Sequence, residues 1–157
     1  MSQPKHWSDR PILLTGATGF VGERLYRRLA GDQREVVCAS RNPDQARLRL
    51  PGRRWVELDV EQPETIRRAV AGCGSVFYLI HQMSDGAGYR ERERQSARAF
   101  RDAVDDSTVE RVVYLGGVKP QGQPSEHLAS RLETGRVLRS GSTPCTDESS
   151  GRPRRSD

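Results

Sequence analysis

Apolar residues in this chain fall into two alternating patterns. The first is the short continuous run: Ile12-Leu13-Leu14, Val36-Val37-Cys38-Ala39, Val76-Phe77-Tyr78-Leu79-Ile80 and Val112-Val113-Tyr114-Leu115. Runs of this length bounded by polar residues read as strands buried on both faces. They place strands over residues 11–15, 35–40, 75–80 and 109–115, and alternation over 55–60 predicts one more. The second pattern is helical. Val21, Leu25 and Leu29 recur at i, i+4 and i+8, predicting a helix over 20–30 that Gly31-Asp32 ends. Residues 43–50 form a short helix closed by Pro51-Gly52. Residues 63–71 carry Pro63 in the first turn and Ile66, Ala69 and Val70 on one face. Residues 89–104 make a long helix, and 125–138 a last one marked by Leu128, Leu132 and Leu138.

Strand and helix therefore alternate five times. That arrangement predicts an α/β fold, a doubly wound parallel (Rossmann) sheet of about five strands in the order 3-2-1-4-5. The domain spans 11–141, after a flexible start over 1–10. Beyond Gly141 the periodicity stops, and residues 142–157 read as a disordered tail. A mean hydropathy of −0.77 agrees with a partly solvated chain.

Composition narrows the setting. No apolar run approaches the ~20 residues needed to span a bilayer, and residues 1–10 lack the apolar stretch of a signal peptide. The expectation is a cytoplasmic protein with no membrane partner. Cys38, Cys73 and Cys145 are too few and too widely spaced for a disulfide scaffold or a zinc site, and Cys38 and Cys73 read as buried thiols. The net charge of +5 and pI near 9.6 raise RNA as a remote partner. Yet 26 − 2 = 24 of the basic residues are arginine, Lys5 and Lys119 being the only lysines. Many of these arginines alternate with acids, as in Arg90-Glu91-Arg92-Glu93-Arg94, which reads as a solvated helix face rather than a phosphate track.

The chemistry concentrates where the first strand meets the first helix. Gly16-Ala17-Thr18-Gly19-Phe20-Val21-Gly22 spaces three glycines at Gly-x-x-Gly-x-x-Gly. Gly16 allows the sharp turn, Gly19 lets a pyrophosphate approach the backbone, and Gly22 lets the helix pack closely. The helix N-terminus supplies N–H groups and a positive dipole end, to which Thr15 and Thr18 can add hydroxyls. No Gly-Lys-Ser/Thr follows, which excludes a Walker-type phosphate loop. The expected ligand is thus a dinucleotide. At the end of the second strand, where an NAD site usually carries Asp or Glu for the ribose, this chain has Ser40-Arg41-Asn42. A hydroxyl and a cation suit a 2′-phosphate, so NADP is preferred, with NAD possible. Asp59, followed by Val60, can accept from an adenine amino group or begin the turn into the next helix. Leu79, Ile80 and His81, with Gly116-Gly117-Val118, should border the nicotinamide half. His81 and His127 are the weak candidates for proton transfer. No third group is spaced to make a hydrolytic triad of His127 and Ser130.

These segments, with Ser40-Arg41-Asn42-Pro43, Leu58-Asp59-Val60, Tyr78-Leu79-Ile80-His81 and Val112-Val113-Tyr114-Leu115-Gly116-Gly117, resemble the atypical short-chain dehydrogenase/reductase group over about residues 12–142. Within it they look like the bacterial NAD(P)-binding proteins related to the NmrA-like regulators and to an NAD(P)H-binding accessory subunit of respiratory complex I, and His127-Leu128-Ala129-Ser130-Arg131 resembles a segment of that narrower bacterial group. The resemblance implies NAD(P) binding, and in active members a Tyr-x-x-x-Lys pair on the helix after strand five with a Ser or Thr at that strand's end. Here that helix has neither Tyr nor Lys, and Gly116-Gly117 stands at the strand end. The implied sixth strand and substrate region are also missing from the pattern, which predicts truncation by a frameshift or early stop and an unpaired edge on the fifth strand. The expectation is an NADP-binding domain without catalysis as encoded. The alternative is a non-catalytic NADP-sensing, assembly or regulatory subunit. The small-molecule substrate is not legible.

Overall fold

The computed structural model describes residues 9–81, 88–116 and 121–147. The elements run β1 (Ile12–Leu14), α1 (Phe20–Gly31), β2 (Val36–Ser40), α2 (Pro43–Arg49), β3 (Arg54–Glu57), α3 (Pro63–Val70), β4 (Ser75–Tyr78), α4 (Tyr89–Asp105), β5 (Arg111–Tyr114), α5 (Glu126–Arg139) and β6 (Cys145–Asp147). The sheet order is β3-β2-β1-β4-β5-β6, with every neighbouring pair parallel. β1 lies at the reversal of strand order. Its Leu14 stands level with Cys38 of β2 and Phe77 of β4. The expected order of the first five strands is the one observed.

Two apolar layers enclose the sheet. On one face Leu13, Val37, Val76, Tyr78 and Tyr114 pack with Ile66 of α3, Phe100 and Val104 of α4, and Leu138 of α5. On the other, Leu14, Val36, Cys38 and Trp55 meet Leu25 and Leu29 of α1 and Ala46 of α2. Each fully buried Val, Leu, Ile or Phe contributes about 1.5–3 kcal/mol, so the continuous runs that mark the strands also dominate the stability. Phe100 sets its ring edge-on to Tyr78 at 4.7 Å. Cys38 and Cys73 are buried free thiols, as the pattern anticipated.

α5 departs from its apolar markers. Leu128 and Leu132 are only half-buried, and the packed face is Ser130, Thr134, Gly135 and Leu138. The reason is proximity. A Cβ on Gly135 would come within 2.8 Å of the Asp147 carboxylate and 3.2 Å of the Tyr114 ring. Small and polar residues let α5 approach β5, and Leu128 and Leu132 lie outside that seam.

The sequence pattern also misreads the C-terminal segment. The chain past Gly141 is ordered through Asp147, and Cys145–Asp147 pairs with Val112–Tyr114 and covers the edge of β5. Residues 148–157 of the expected tail lie outside the described residues. No apolar periodicity announces β6 because polar anchors hold it. Asp105 at the end of α4 accepts from the backbone N–H groups of Ser142 at 3.0 Å and Thr143 at 2.9 Å. The N–H of Val112 donates to the Pro144 carbonyl at 2.9 Å, and Arg139 pairs with Asp147.

Asp105 is therefore the peg on which β6 hangs. Burial alone would raise its carboxyl, but the two N–H donors hold it below its ordinary value of 3.8. Its contribution is thus full above that value and lost as pH falls through the lowered one. Asp105→Ala should destabilise the domain by about 1–3 kcal/mol at pH 7. Urea unfolding of the variant and the wild type should converge in acid; a difference constant from pH 7 to pH 3 would contradict the assignment.

Candidate functional site

The glycine loop is built by crowding. Thr15 is fully buried at the end of β1. Its Oγ1 donates to the Phe77 carbonyl at 2.9 Å and accepts from the Leu79 N–H at 2.9 Å, locking β1 to the end of β4. That proton is committed, so Thr15 is a strut rather than the phosphate donor the sequence offered. Gly16 then turns at φ +63°, where a Cβ would sit 2.9 Å from the Leu79 carbonyl oxygen. Gly22, in the first turn of α1, faces the same loop. A Cβ there would collide with the Gly16 carbonyl oxygen and lie 2.9 Å from the Ala17 Cα. Gly22 thus brings α1 against the loop itself.

The N-terminus of α1 is left open. Gly19 caps the helix with no side-chain hydrogen bond, and its only close neighbour would be Gly16 O, 3.4 Å from a Cβ. Among the described residues the first-turn N–H groups then have no side-chain acceptor. The first-turn carboxylate, Glu23, is engaged by Arg53, which lies 2.7 Å away and stacks on Tyr26. That hydrogen-bonded guanidinium holds the Glu23 carboxyl below its usual range.

This open turn faces a cleft of about 760 Å³ across the carboxyl ends of β1, β2, β3 and β4. Thr15, Gly16, Thr18 and Gly19 line it beside β1. Ser40, Arg41, Asn42, Gln45 and Arg49 line it beyond β2, Leu58 to Glu61 beyond β3, and Leu79, Ile80 and His81 beyond β4. The predicted residues Gly16, Thr18, Gly19, Ser40, Arg41, Asp59, Val60, Leu79, Ile80 and His81 are therefore brought to one cleft. Ala17, Phe20, Val21 and Gly22 are not on its walls: Ala17 is buried beneath the loop, and Phe20 and Val21 point to solvent. Gly117 and Val118 lie outside the described residues.

Local hydrogen bonds explain the shape at the β2 and β3 ends. Ser40 Oγ accepts from Asn42 N, and Asn42 Oδ1 accepts from Gln45 N, capping α2. Arg41 is left exposed between them. Asp59 Oδ1 accepts from Glu61 N at 2.9 Å and Oδ2 from Gln62 Nε2 at 3.3 Å, so its carboxylate shapes the turn into α3 while lining the cleft.

The two candidate histidines are not equivalent. His81 is half-buried at the cleft; burial first, and the Arg131 charge second, push it down to about 4. It is neutral at pH 7 and a poor proton donor there. His127 is exposed at the start of α5, its ring 5.8 Å from Tyr89, and does not line the cleft. Ser130 donates to the buried Glu93 carboxylate, and Tyr114 donates to the Arg131 carbonyl at 2.9 Å. Burial pushes the Tyr114 phenol well above its ordinary range. The charged run in α4 is consequently more than a solvated face: Glu93 is buried, and Arg94 reaches Glu133 of α5 at 2.8 Å. Sequence reading also passed over Gln45, Arg49 and Arg92 as cleft residues. For Arg92 a helical projection of that run was the available signal, since it separates Arg92 from Arg90 and Arg94.

An open helix N-terminus, a glycine cradle with no room for a Cβ and an elongated cleft over the switch point of the sheet fit a dinucleotide pyrophosphate. Residues 16–139 match the NAD(P)H-binding family. The chain belongs to that family. It is 27% identical over 133 residues to dihydroflavonol 4-reductase of Hordeum vulgare, covering 73% of this chain and 37% of that one. Among solved structures, the Citrobacter sp. triphenylmethane reductase complexed with NADP(H) superposes with TM-score 0.73 at 21% identity, covering 87% of this chain and 48% of that one. A short-chain dehydrogenase/reductase superfamily protein of Agrobacterium tumefaciens with bound NAD superposes with TM-score 0.72 at 21% identity, covering 87% and 48%. The chain thus spans about half the length of these solved relatives and less of the reductase. The resemblance to the short-chain dehydrogenase/reductase group holds for the fold and for NAD(P) binding.

Two outcomes test this geometry. Gly22→Ala should lose about 1–3 kcal/mol in urea unfolding, because backbone atoms block the new methyl. Gly31→Ala, which meets nothing within 4 Å, should cost nothing or add up to about 1 kcal/mol. In an NMR titration the His81 ring should stay neutral through pH 7–5 and protonate near 4. Because that value is lowered from 6.5, His81 makes stability decline as pH falls from 6.5 towards 4. A His81 midpoint above 6 would contradict the burial assigned to it.

Proposed function

We propose that this chain binds NADP(H) in preference to NAD(H), as the dinucleotide-binding part of a short-chain-reductase-like protein. The observation that carries the preference is the β2 end. Ser40, Arg41 and Asn42 stand there in place of the ribose-binding carboxylate, and Arg49 lines the same end of the cleft. Arg41 is exposed and has no carboxylate partner among the described residues, so its guanidinium is available to a 2′-phosphate. The pyrophosphate would sit on Gly16, Thr18 and Gly19 at the N-terminus of α1, and Asp59 and Val60 beside the adenine. Leu79, Ile80 and His81 would border the nicotinamide. That ring, when bound, supplies hydride transfer; the residues of this chain bind and orient it.

A second reading is a subunit that senses NADP or serves assembly or regulation without turnover. It is favoured by α5, which carries no Tyr and no Lys, and by the engagement of Ser130 and Tyr114 in holding helices. An RNA-binding role is the remote third reading, and the frequent pairing of arginines with acids argues against it. No helix among the described residues is long and apolar enough to cross a membrane. Three unpaired thiols fit a reducing, cytoplasmic setting.

Titration with NADPH, NADH and RNA separates the readings. NADPH binding accompanied by its oxidation across a panel of aldehydes and quinones would identify a reductase, and binding without oxidation supports the sensor. Salt-sensitive RNA binding with no dinucleotide binding would overturn both. Arg41→Ala should weaken NADPH binding by about 1–3 kcal/mol and leave NADH binding nearly unchanged. Equal losses would refute the 2′-phosphate assignment.

A further inference from the structure

The cleft contains a cation that the 2′-phosphate argument does not use. Arg92 belongs to α4, the helix that follows β4, and lines the cleft together with Thr18, Gly19 and His81. It approaches from the sheet face covered by α3, α4 and α5, whereas α1, α2 and the glycine loop belong to the other face. Its guanidinium folds back toward the start of α4, Nη1 lying 3.7 Å from where a Gly88 Cβ would be. The contrast with its neighbours is informative. Arg90 and Arg94, two positions away on either side, both pair with Glu133 of α5. Arg92 is exposed, and no carboxylate partner for it occurs among the described residues.

An exposed arginine that lines a cleft and has no carboxylate partner among the described residues is a site for an anion that arrives with the ligand. β4 pairs with β1, and Leu79, just beyond β4, has its carbonyl oxygen 2.9 Å from where a Gly16 Cβ would be. Arg41 and Arg49 belong to the β2 end. We infer that Arg92 binds the pyrophosphate from the side opposite the α1 N-terminus, so that the diphosphate is held between backbone N–H groups on one face and a guanidinium on the other. This inference rests on the proposed dinucleotide binding and adds a residue to it. The physical case is charge complementarity. The N–H groups of a helix end supply partial charge, about half an elementary charge in all. A guanidinium supplies a full charge and a planar fork that matches two phosphate oxygens. Arg41 confers selectivity on this reading, and Arg92 confers affinity irrespective of the 2′ substituent.

The test compares Arg92→Ala, Arg92→Lys and Arg98→Ala by calorimetric titration with NADPH, NADH and adenosine 2′-monophosphate. Arg98 is an exposed arginine on the same helix and not on the cleft, so its variant controls for net charge. Arg92→Ala should weaken NADPH and NADH by the same factor, about tenfold or more for a lost charge-assisted contact, with Arg92→Lys intermediate and Arg98→Ala near wild type. Binding of adenosine 2′-monophosphate, which has no pyrophosphate, should be unchanged by Arg92→Ala and weakened by Arg41→Ala. Wild-type-like binding of both dinucleotides by Arg92→Ala, or a loss confined to NADPH, would overturn this inference and leave the proposed function standing. Failure of the wild type to bind either dinucleotide would overturn both. Thermal unfolding of each variant without ligand confirms that the exposed substitutions leave the fold intact.

Discussion

The site depends on one junction, where the Thr15 hydroxyl ties the end of β1 to the end of β4. Through Phe77 O and Leu79 N it fixes how far apart the two strand ends stand at the reversal of strand order. The chain must then leave the sheet within one residue, against a Leu79 carbonyl 2.9 Å from where a side chain would begin. Only a glycine at positive φ satisfies that constraint without strain. Once Gly16 turns there, its carbonyl occupies the space that a Gly22 side chain would need. The three glycines are therefore linked by sterics: the first is set by the strut, the third by the first. Gly19, between them, keeps a nearly open surface toward the cleft. The opening of α1 toward solvent follows from this packing, and a ligand is not required to explain the loop's shape.

Much of this is legible in the amino-acid sequence alone. Continuous apolar runs identify strands buried on both faces, and helical spacing identifies the crossovers, because both periodicities are imposed by burial. The glycine loop is readable because its spacing and its place between strand and helix act together. What escaped the reading lacks that signature. β6 is a Cys-Thr-Asp segment held by Asp105, Arg139 and main-chain bonds, and polar anchors from distant positions leave no local pattern. The packed face of α5 escaped for a related reason: close approach selects Ser130, Thr134 and Gly135, which a hydrophobic count ignores. Thr15 looked like a ligand donor because the pattern shows a hydroxyl and not where its proton goes.

The arginine excess also changes meaning once positions are known. Averaged over the chain, a charge of +5 invites a nucleic-acid reading. Placed in the fold, many arginines neutralise neighbours, as Arg53 does Glu23 and Arg94 does Glu133. Such pairs are worth little each at the surface, yet they remove charge from the field that a polyanion would sense. Among the described residues, Arg41, Arg49 and Arg92 line the cleft with no carboxylate partner, opposed there by Asp59 and Glu61. A ligand with a few phosphates suits that distribution better than a long backbone.

Dinucleotide binding and proton transfer would draw on different parts of the sheet. The groups suited to phosphate and ribose lie at the ends of β1, β2 and β3, with β4 closing the cleft. Proton transfer of the short-chain-reductase kind would draw on β5 and α5, and there the polar groups are engaged in packing. Ser130 is tied to Glu93, and Tyr114 to the α5 backbone. His81, which lines the cleft and stands 6.3 Å from the Tyr114 ring of β5, is held neutral by burial and by the Arg131 charge. Substitutions at the two regions should therefore have separable effects. A change at β5 or α5 alters how tightly the helices close on the sheet, whereas a change at the glycine loop or the cleft arginines alters what the cleft can hold. For that reason the dinucleotide reading does not depend on whether turnover occurs.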